Sequence, residues 1–179
     1  MKAVTISFLL LAVVLTACGG AEKEIVPNGE IVYNHVNLVV DENDWFGNVG
    51  SADYVFIGEV AAKIRNIAAE DFPQSIFSVV VLENLKGNLI KDIEIRLNAG
   101  YRKDGTLVLN ATDFSAESEL PIVSEQYVFL GYAQSNGDIL IPEITGFRRF
   151  TAGSKEEYMG YIANQVESSR AREKSRFEP

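Results

Sequence analysis

A series of short runs of β-branched and aromatic residues, each closed by a turn signal, limits this chain to a sheet-rich fold. Tyr54, Val55, Phe56, Ile57 and Val60 form one run, which extends toward Ile67. Ile76, Phe77, Val79, Val80, Val81 and Leu82 form the next. Neither has helical spacing, so both predict strands. Ile93, Ile95 and Leu97 alternate with Glu94 and Arg96, the pattern of a strand with one wet face. Leu107, Val108 and Leu109 follow, then the strong run from Gln126 to Tyr132. Asn136-Gly137 predicts a hairpin turn, with residues 138–144 returning as its partner and Pro142 pushing that end to an edge. Gly58, inside the first run, predicts a bulge.

The flanks differ. Residues 31–40 look extended, Asp41-Glu42-Asn43-Asp44 breaks them, and Trp45, Phe46 and Val49 tuck in from a short helix or loop. Near the end, Ser154 and Glu157 have capping-box spacing. Tyr158, Tyr161, Ile162 and Val166 then form an apolar stripe that predicts a helix to about Ser168. Arg170, Arg172, Lys174 and Arg176 read as a basic flexible tail over residues 169–179. Residues 31–168 are thus expected to form one mainly β domain with a C-terminal helix.

The first residues read as an export signal. Lys2 adds positive charge before an apolar run over residues 3–15, which is short of the roughly 20 residues that span a bilayer. The run ends Leu15-Thr16-Ala17-Cys18. This resembles the lipobox of bacterial lipoproteins. The resemblance implies a signal peptide over residues 1–17, diacylation of Cys18, a tether over residues 18–30, and an extracytoplasmic domain whose partner is a lipid bilayer, in the cell membrane or outer membrane. Cys18 is the single cysteine of the chain, so no internal disulfide is possible.

Local phrases carry a second resemblance. Residues 52–60 (ADYVFIGEV), 79–87 (VVVLENLKG) and 124–130 (SEQYVFL) resemble strands of small bacterial surface proteins with an OB-like, netrin- or TIMP-like barrel. That resemblance implies a small antiparallel OB-like barrel with a C-terminal helix; the alternative is an antiparallel sandwich plus helix. Either way fold alone does not assign an activity. The zinc-chelating amino-terminal cysteine of the inhibitors with this fold has no free counterpart if Cys18 is lipidated.

Catalytic chemistry is sparse. His35 is the one histidine, and neither a zinc ligand set nor a Ser-His-Asp triad is readily built around it. Asp41, Glu42, Asn43 and Asp44 offer hard oxygen ligands, but Trp45 and Phe46 stand where a calcium loop needs a ligand and a glycine. Asp113, Glu117 and Glu119 line an acidic loop over residues 110–124 that paired-carboxylate chemistry on a glycan would require. Tyr33, Trp45, Phe46, Tyr101 and Phe147 are candidate groove aromatics. A formal charge of −9 opposes nucleic-acid binding. The expectation is therefore a non-enzymatic binding module facing an envelope protein or glycan, with no cofactor and no metal. The alternatives are an accessory or structural subunit of an envelope complex, or a carboxylate-dependent envelope enzyme.

Overall fold

The computed structural model describes residues 25–35, 41, 43–111 and 119–179. The elements run β1 (Ile31–His35), α1 (Trp45–Ser51), β2 (Tyr54–Ile67), β3 (Gln74–Lys86), β4 (Asp92–Leu97), β5 (Gly100–Tyr101), β6 (Leu107–Ala111), β7 (Gln126–Ala133), β8 (Ile139–Leu140), β9 (Phe147–Arg149) and α2 (Ser154–Ala163). One sheet has six strands in the order β2-β3-β4-β8-β7-β9, with β2 also pairing β7. A second sheet has the order β1-β6-β5.

Two different burial patterns explain the sequence runs. On β4, Ile93, Ile95 and Leu97 are buried, while Glu94 and Arg96 keep partial contact with solvent, as alternation predicts. On β2 and β7 both faces are covered. Tyr54, Phe56, Tyr127 and Phe129 point into the larger core with Phe77, Ile95 and Ile139. Val55, Ile57, Val128 and Leu130 point the other way, into a second core with Val49 of α1 and Tyr158 of α2. A strand buried on both sides reads as a continuous apolar run. Phe56 and Phe129 are cross-strand partners, and their rings stack 5.2 Å apart. Such a pair adds about 0.5–1.5 kcal/mol beyond the area it buries.

This architecture corrects the expected small antiparallel OB-like barrel with one C-terminal helix. The fold is mixed α/β, a large six-stranded sheet carrying two helices, and its layering is closer to a sandwich than to such a barrel. The β7–β8 hairpin inserts β8 beside β4, where Ile95 and Arg96 meet Ile139 and Leu140 in parallel. The β1–β6 pair is parallel too. The sandwich alternative is corrected in the same respect, since the sheet is mixed rather than antiparallel. Periodicity within a strand carries no information about the direction of its neighbour, which is why the sequence does not show this.

The ends of α2 also differ from expectation. Ser154 is the first helical residue, behind an N-cap of Gly153 that makes no side-chain cap bond. Its Oγ instead accepts from the Thr151 backbone N–H at 2.9 Å. Glu157 accepts from the Tyr161 hydroxyl at 2.8 Å rather than reaching back. The helix stops at Ala163, and Val166 is exposed.

Residues 169–179, expected to be a flexible tail, lie along the domain. Asp53, 1 % exposed, accepts from Arg170 Nη1 at 2.9 and 2.8 Å and from the Ala133 N–H at 2.8 Å. Arg172 Nε stands 3.6 Å from the same carboxylate. Ser175 is buried; its N–H donates to the Tyr54 hydroxyl at 2.9 Å, and Phe177 packs against the larger core.

Candidate binding site

The residues singled out in the sequence do not converge. Cys18, Glu42, Asp113 and Glu117 lie outside the described residues. His35 closes β1. Asp44 caps α1 by accepting from the Gly47 N–H at 3.0 Å, and Asp41 accepts from the Asn43 N–H at 2.9 Å; both carboxylates are thus spent on backbone N–H groups at the start of a helix. Among the described residues no three His, Cys, Asp or Glu side chains gather as metal ligands. Of the aromatics, Phe147 packs on Tyr127 and Phe129 in the core. Trp45 and Phe46 pack on Tyr161 of α2, and Tyr101 lies under the Lys63 ammonium at 4.5 Å. They form no common groove.

The structure gathers a different set. Register places Arg65 of β2 opposite Ile76 of β3, and Ile76 opposite Arg96 of β4. Side chains directly across a sheet share a face, so two guanidinium groups flank one buried isoleucine. The C-terminal segment adds a third. Arg176 N–H donates to the Gly137 carbonyl at 3.0 Å, and Ser175 Oγ donates to the same oxygen at 3.0 Å. Gly137 adopts φ +84° at the tip of the β7–β8 hairpin, a conformation that costs glycine little. The tail thereby hangs Arg176 over the sheet.

These groups line an open cavity of about 80 Å³ bounded by Arg65, Ile76, Glu94, Arg96, Asp138 and Arg176, with Ile95 and Ile139 behind. Arg176 pairs with Asp138 at 3.0 Å and Glu94 at 3.3 Å, and Arg96 reaches Asp138 at 3.5 Å. Three cations therefore face two carboxylates. Among the described residues Arg65 has no carboxylate partner, and Arg96 Nε is shut off from water with no acceptor. A buried N–H without an acceptor is unfavourable.

Beside this cavity the sheet has an open edge. β7 covers β2 only from Tyr54 to Glu59. Beyond that, Val60 N–H donates to the Glu125 carbonyl and Ser124 N–H donates to the Val60 carbonyl. Among the described residues no strand pairs with the outer edge of residues 61–67, although Tyr101 of β5 is held against this stretch by the Asn66 side chain, which accepts from its N–H and donates to its carbonyl at 2.7 Å. This half of β2 bends at bulges between Val60 and Ala62 and between Lys63 and Arg65. It exposes Ile64 and Ile67, and Phe72 stands out 59 % exposed from the β2–β3 connection. Ile122 and Val123 are exposed where the cover ends.

The second group that sequence reading passes over is Glu143, whose Oε1 is buried and unpartnered while Oε2 accepts from Asn110 Nδ2 at 2.9 Å. Burial pushes its carboxyl up. Burial likewise pushes Lys63 down.

No family model matches this chain, and no curated protein matches it. The resemblances to bacterial lipoproteins and to OB-like barrel surface proteins are not upheld: the comparisons give neither support, and the sheet is mixed with two helices. Among the described residues no helix is long and apolar enough to cross a membrane.

Proposed function

We propose that this chain is an accessory or structural subunit of a larger extracytoplasmic envelope assembly. One observation carries the reading: the distal half of the β2–β3 hairpin leaves the body of the sheet with an open edge and with Ile64, Ile67 and Phe72 in solvent. Open edges and clustered surface apolar groups are what folded proteins normally cover. The extracytoplasmic placement rests on the charged start and apolar run of residues 2–15.

The test is photo-crosslinking in cells, with a photoreactive residue at position 72 and a control at exposed Glu156 on α2. A discrete adduct at position 72, absent at 156 and lost when Ile64 and Ile67 become Asp, is the expected result. No adduct, or the same adducts at both positions, rejects the subunit reading.

A further inference from the structure

Resting on that reading, we propose that the partner element is an acidic, extended protein segment that adds a strand to β2 along residues 61–67 and places a carboxylate on Arg65. Three observations converge on it. The backbone edge is open at 61–67 and bounded by β7 at Glu59, so a further strand would continue the line that β7 leaves. Strand addition satisfies such an edge through main-chain bonds, while alternate side chains set specificity.

The side chains at this edge select for charge. Among the described residues Arg65 lacks an anionic partner, and it lines one cavity with Arg96 and Arg176. A carboxylate on the incoming strand, opposite or diagonal to Arg65, falls within reach of cross-strand pairing. Bidentate geometry suits guanidinium groups to that role. The surrounding chain carries −9, but charges beyond about 8 Å are screened at physiological salt, so the local cations decide.

The same residues disfavour a second copy of this chain as occupant. Antiparallel pairing of two such edges about Ile64 sets Lys63 against Arg65 twice, and like charges directly opposite each other are destabilising. The bulges on either side of Ala62 and Lys63 further bend the edge away from a flat self-match. The apolar rim of Ile64, Ile122 and Val123 fits the aliphatic side chains that alternate with the acids on such a segment.

The experiment titrates the full chain with labelled seven-residue peptides and reads fluorescence anisotropy. One peptide alternates Val and Glu, a twin carries Lys for Glu, and a third is the acidic peptide N-methylated at alternate amides. The acidic peptide is expected to bind at least tenfold tighter than either. Arg65→Glu, an exposed position whose fold is checked by circular dichroism, is expected to weaken the acidic peptide at least tenfold and to tighten its Lys twin.

Several results overturn the proposal. Equal binding of the acidic and basic peptides removes the charge selection. Equal binding of the N-methylated peptide, or full displacement by millimolar inorganic phosphate alone, leaves a simple anion pocket. Absence of peptide binding, or a dimer in sedimentation that Ile64→Asp dissolves, overturns it too. If a position-72 adduct persists in any of these cases, the subunit reading stands and the acidic strand falls; if the adduct is missing as well, both fall.

Discussion

Asp53 and Arg170 should behave as one energetic unit that ties the last residues of the chain to the first strand of the main sheet. The Asp53 carboxylate is 2 % exposed and its Arg170 partner 33 %. Truncating one side of a buried ion pair costs about 3–5 kcal/mol, and the partial exposure of Arg170 places Asp53→Ala at about 3 kcal/mol. That change also leaves the Ala133 N–H without its acceptor. Arg170→Ala leaves the carboxylate with Ala133 and the more exposed Arg172, so about 2 kcal/mol is expected, within the range for hydrogen bonds to charged groups. The double variant should lose about 3.5 kcal/mol, a coupling of about 1.5 kcal/mol.

Urea unfolding of the four proteins measures this cycle. At about 2–4 °C per kcal/mol for a chain of this size, Asp53→Ala should also lower the melting temperature by about 6–12 °C. Because the pair holds the segment that delivers Ser175, Arg176 and Phe177 to the sheet, trypsin should cut after Arg172 and Lys174 faster in either single variant than in the parent. A coupling below about 0.5 kcal/mol, or a tail that stays resistant in Asp53→Ala, refutes the claim that this pair is the latch.

Tyr158 is buried, and among the described residues its hydroxyl has no partner, so Tyr158→Phe should leave stability unchanged or raise it by about 1 kcal/mol in chemical denaturation; a loss would reveal a bond the geometry does not contain. Glu143 has its carboxyl raised above the ordinary 4.5 by burial. The folded state therefore holds its proton more tightly, and the stability it lends is full below the unfolded value and lost as pH rises through the folded one. Urea midpoints of Glu143→Gln should thus approach those of the parent near pH 4 and exceed them at pH 7, and the reverse order at pH 7 would reject the burial argument. Gly50 lies in α1, where alanine would ordinarily favour the helix by about 1 kcal/mol. A Cβ there would run into the Val166 carbonyl oxygen, so Gly50→Ala should instead destabilise by about 2–3 kcal/mol as the chain after α2 is pushed away; a melting temperature at or above the parent's would contradict that packing.

Strand positions are legible because burial writes them into the chain. The alternation of Ile93, Ile95 and Leu97 marks a one-sided strand, and the unbroken apolar residues from Tyr54 to Ile57 and from Tyr127 to Leu130 mark strands covered on both faces. Gly58 is legible only in part: a Cβ there would crowd Val79 Cγ1 at 2.6 Å, but the register shift beside it leaves Leu82 of β3 unpaired, and the extra residues of β2 itself are Ala61 and Ile64. Strand neighbours are not legible. Whether Ile139 lies beside Ile95 in parallel or antiparallel sense depends on how the β7–β8 hairpin docks, and no local pattern encodes that. Strands β5 and β9 are two and three residues long, too short for a period to show. The capping signature at Ser154 fails for a related reason: its Oγ accepts from the Thr151 N–H and shares a hydrogen bond with the Thr151 hydroxyl, and that turn outcompetes the cap.

The candidate site lies further from what a sequence displays, and Asp53 shows where a trace of it remains. A carboxylate embedded between Ala52 and the apolar run from Tyr54 is a charge that burial forbids unless it is paired. The sequence therefore demands a cation, but it holds sixteen lysines and arginines and does not say which. The structure selects Arg170, separated from Asp53 by 117 positions. Arg170, Arg172, Lys174 and Arg176 at every second position look like a solvated end when read against a helix. In an extended segment the same spacing repeats along one side of the chain, which lets the first two arginines meet Asp53 and carries Arg176 on to Asp138 and Glu94. With Arg176 occupying both carboxylates, Arg96 keeps only a 3.5 Å contact to Asp138 and, among the described residues, Arg65 keeps none. The positive excess of the cavity is thus a consequence of the tail's docking, and releasing the tail through Asp53→Ala should free Glu94 and Asp138 for Arg65 and Arg96 and weaken the acidic peptide in parallel with Arg65→Glu. Unchanged peptide affinity in a folded Asp53→Ala chain would separate the latch from the site.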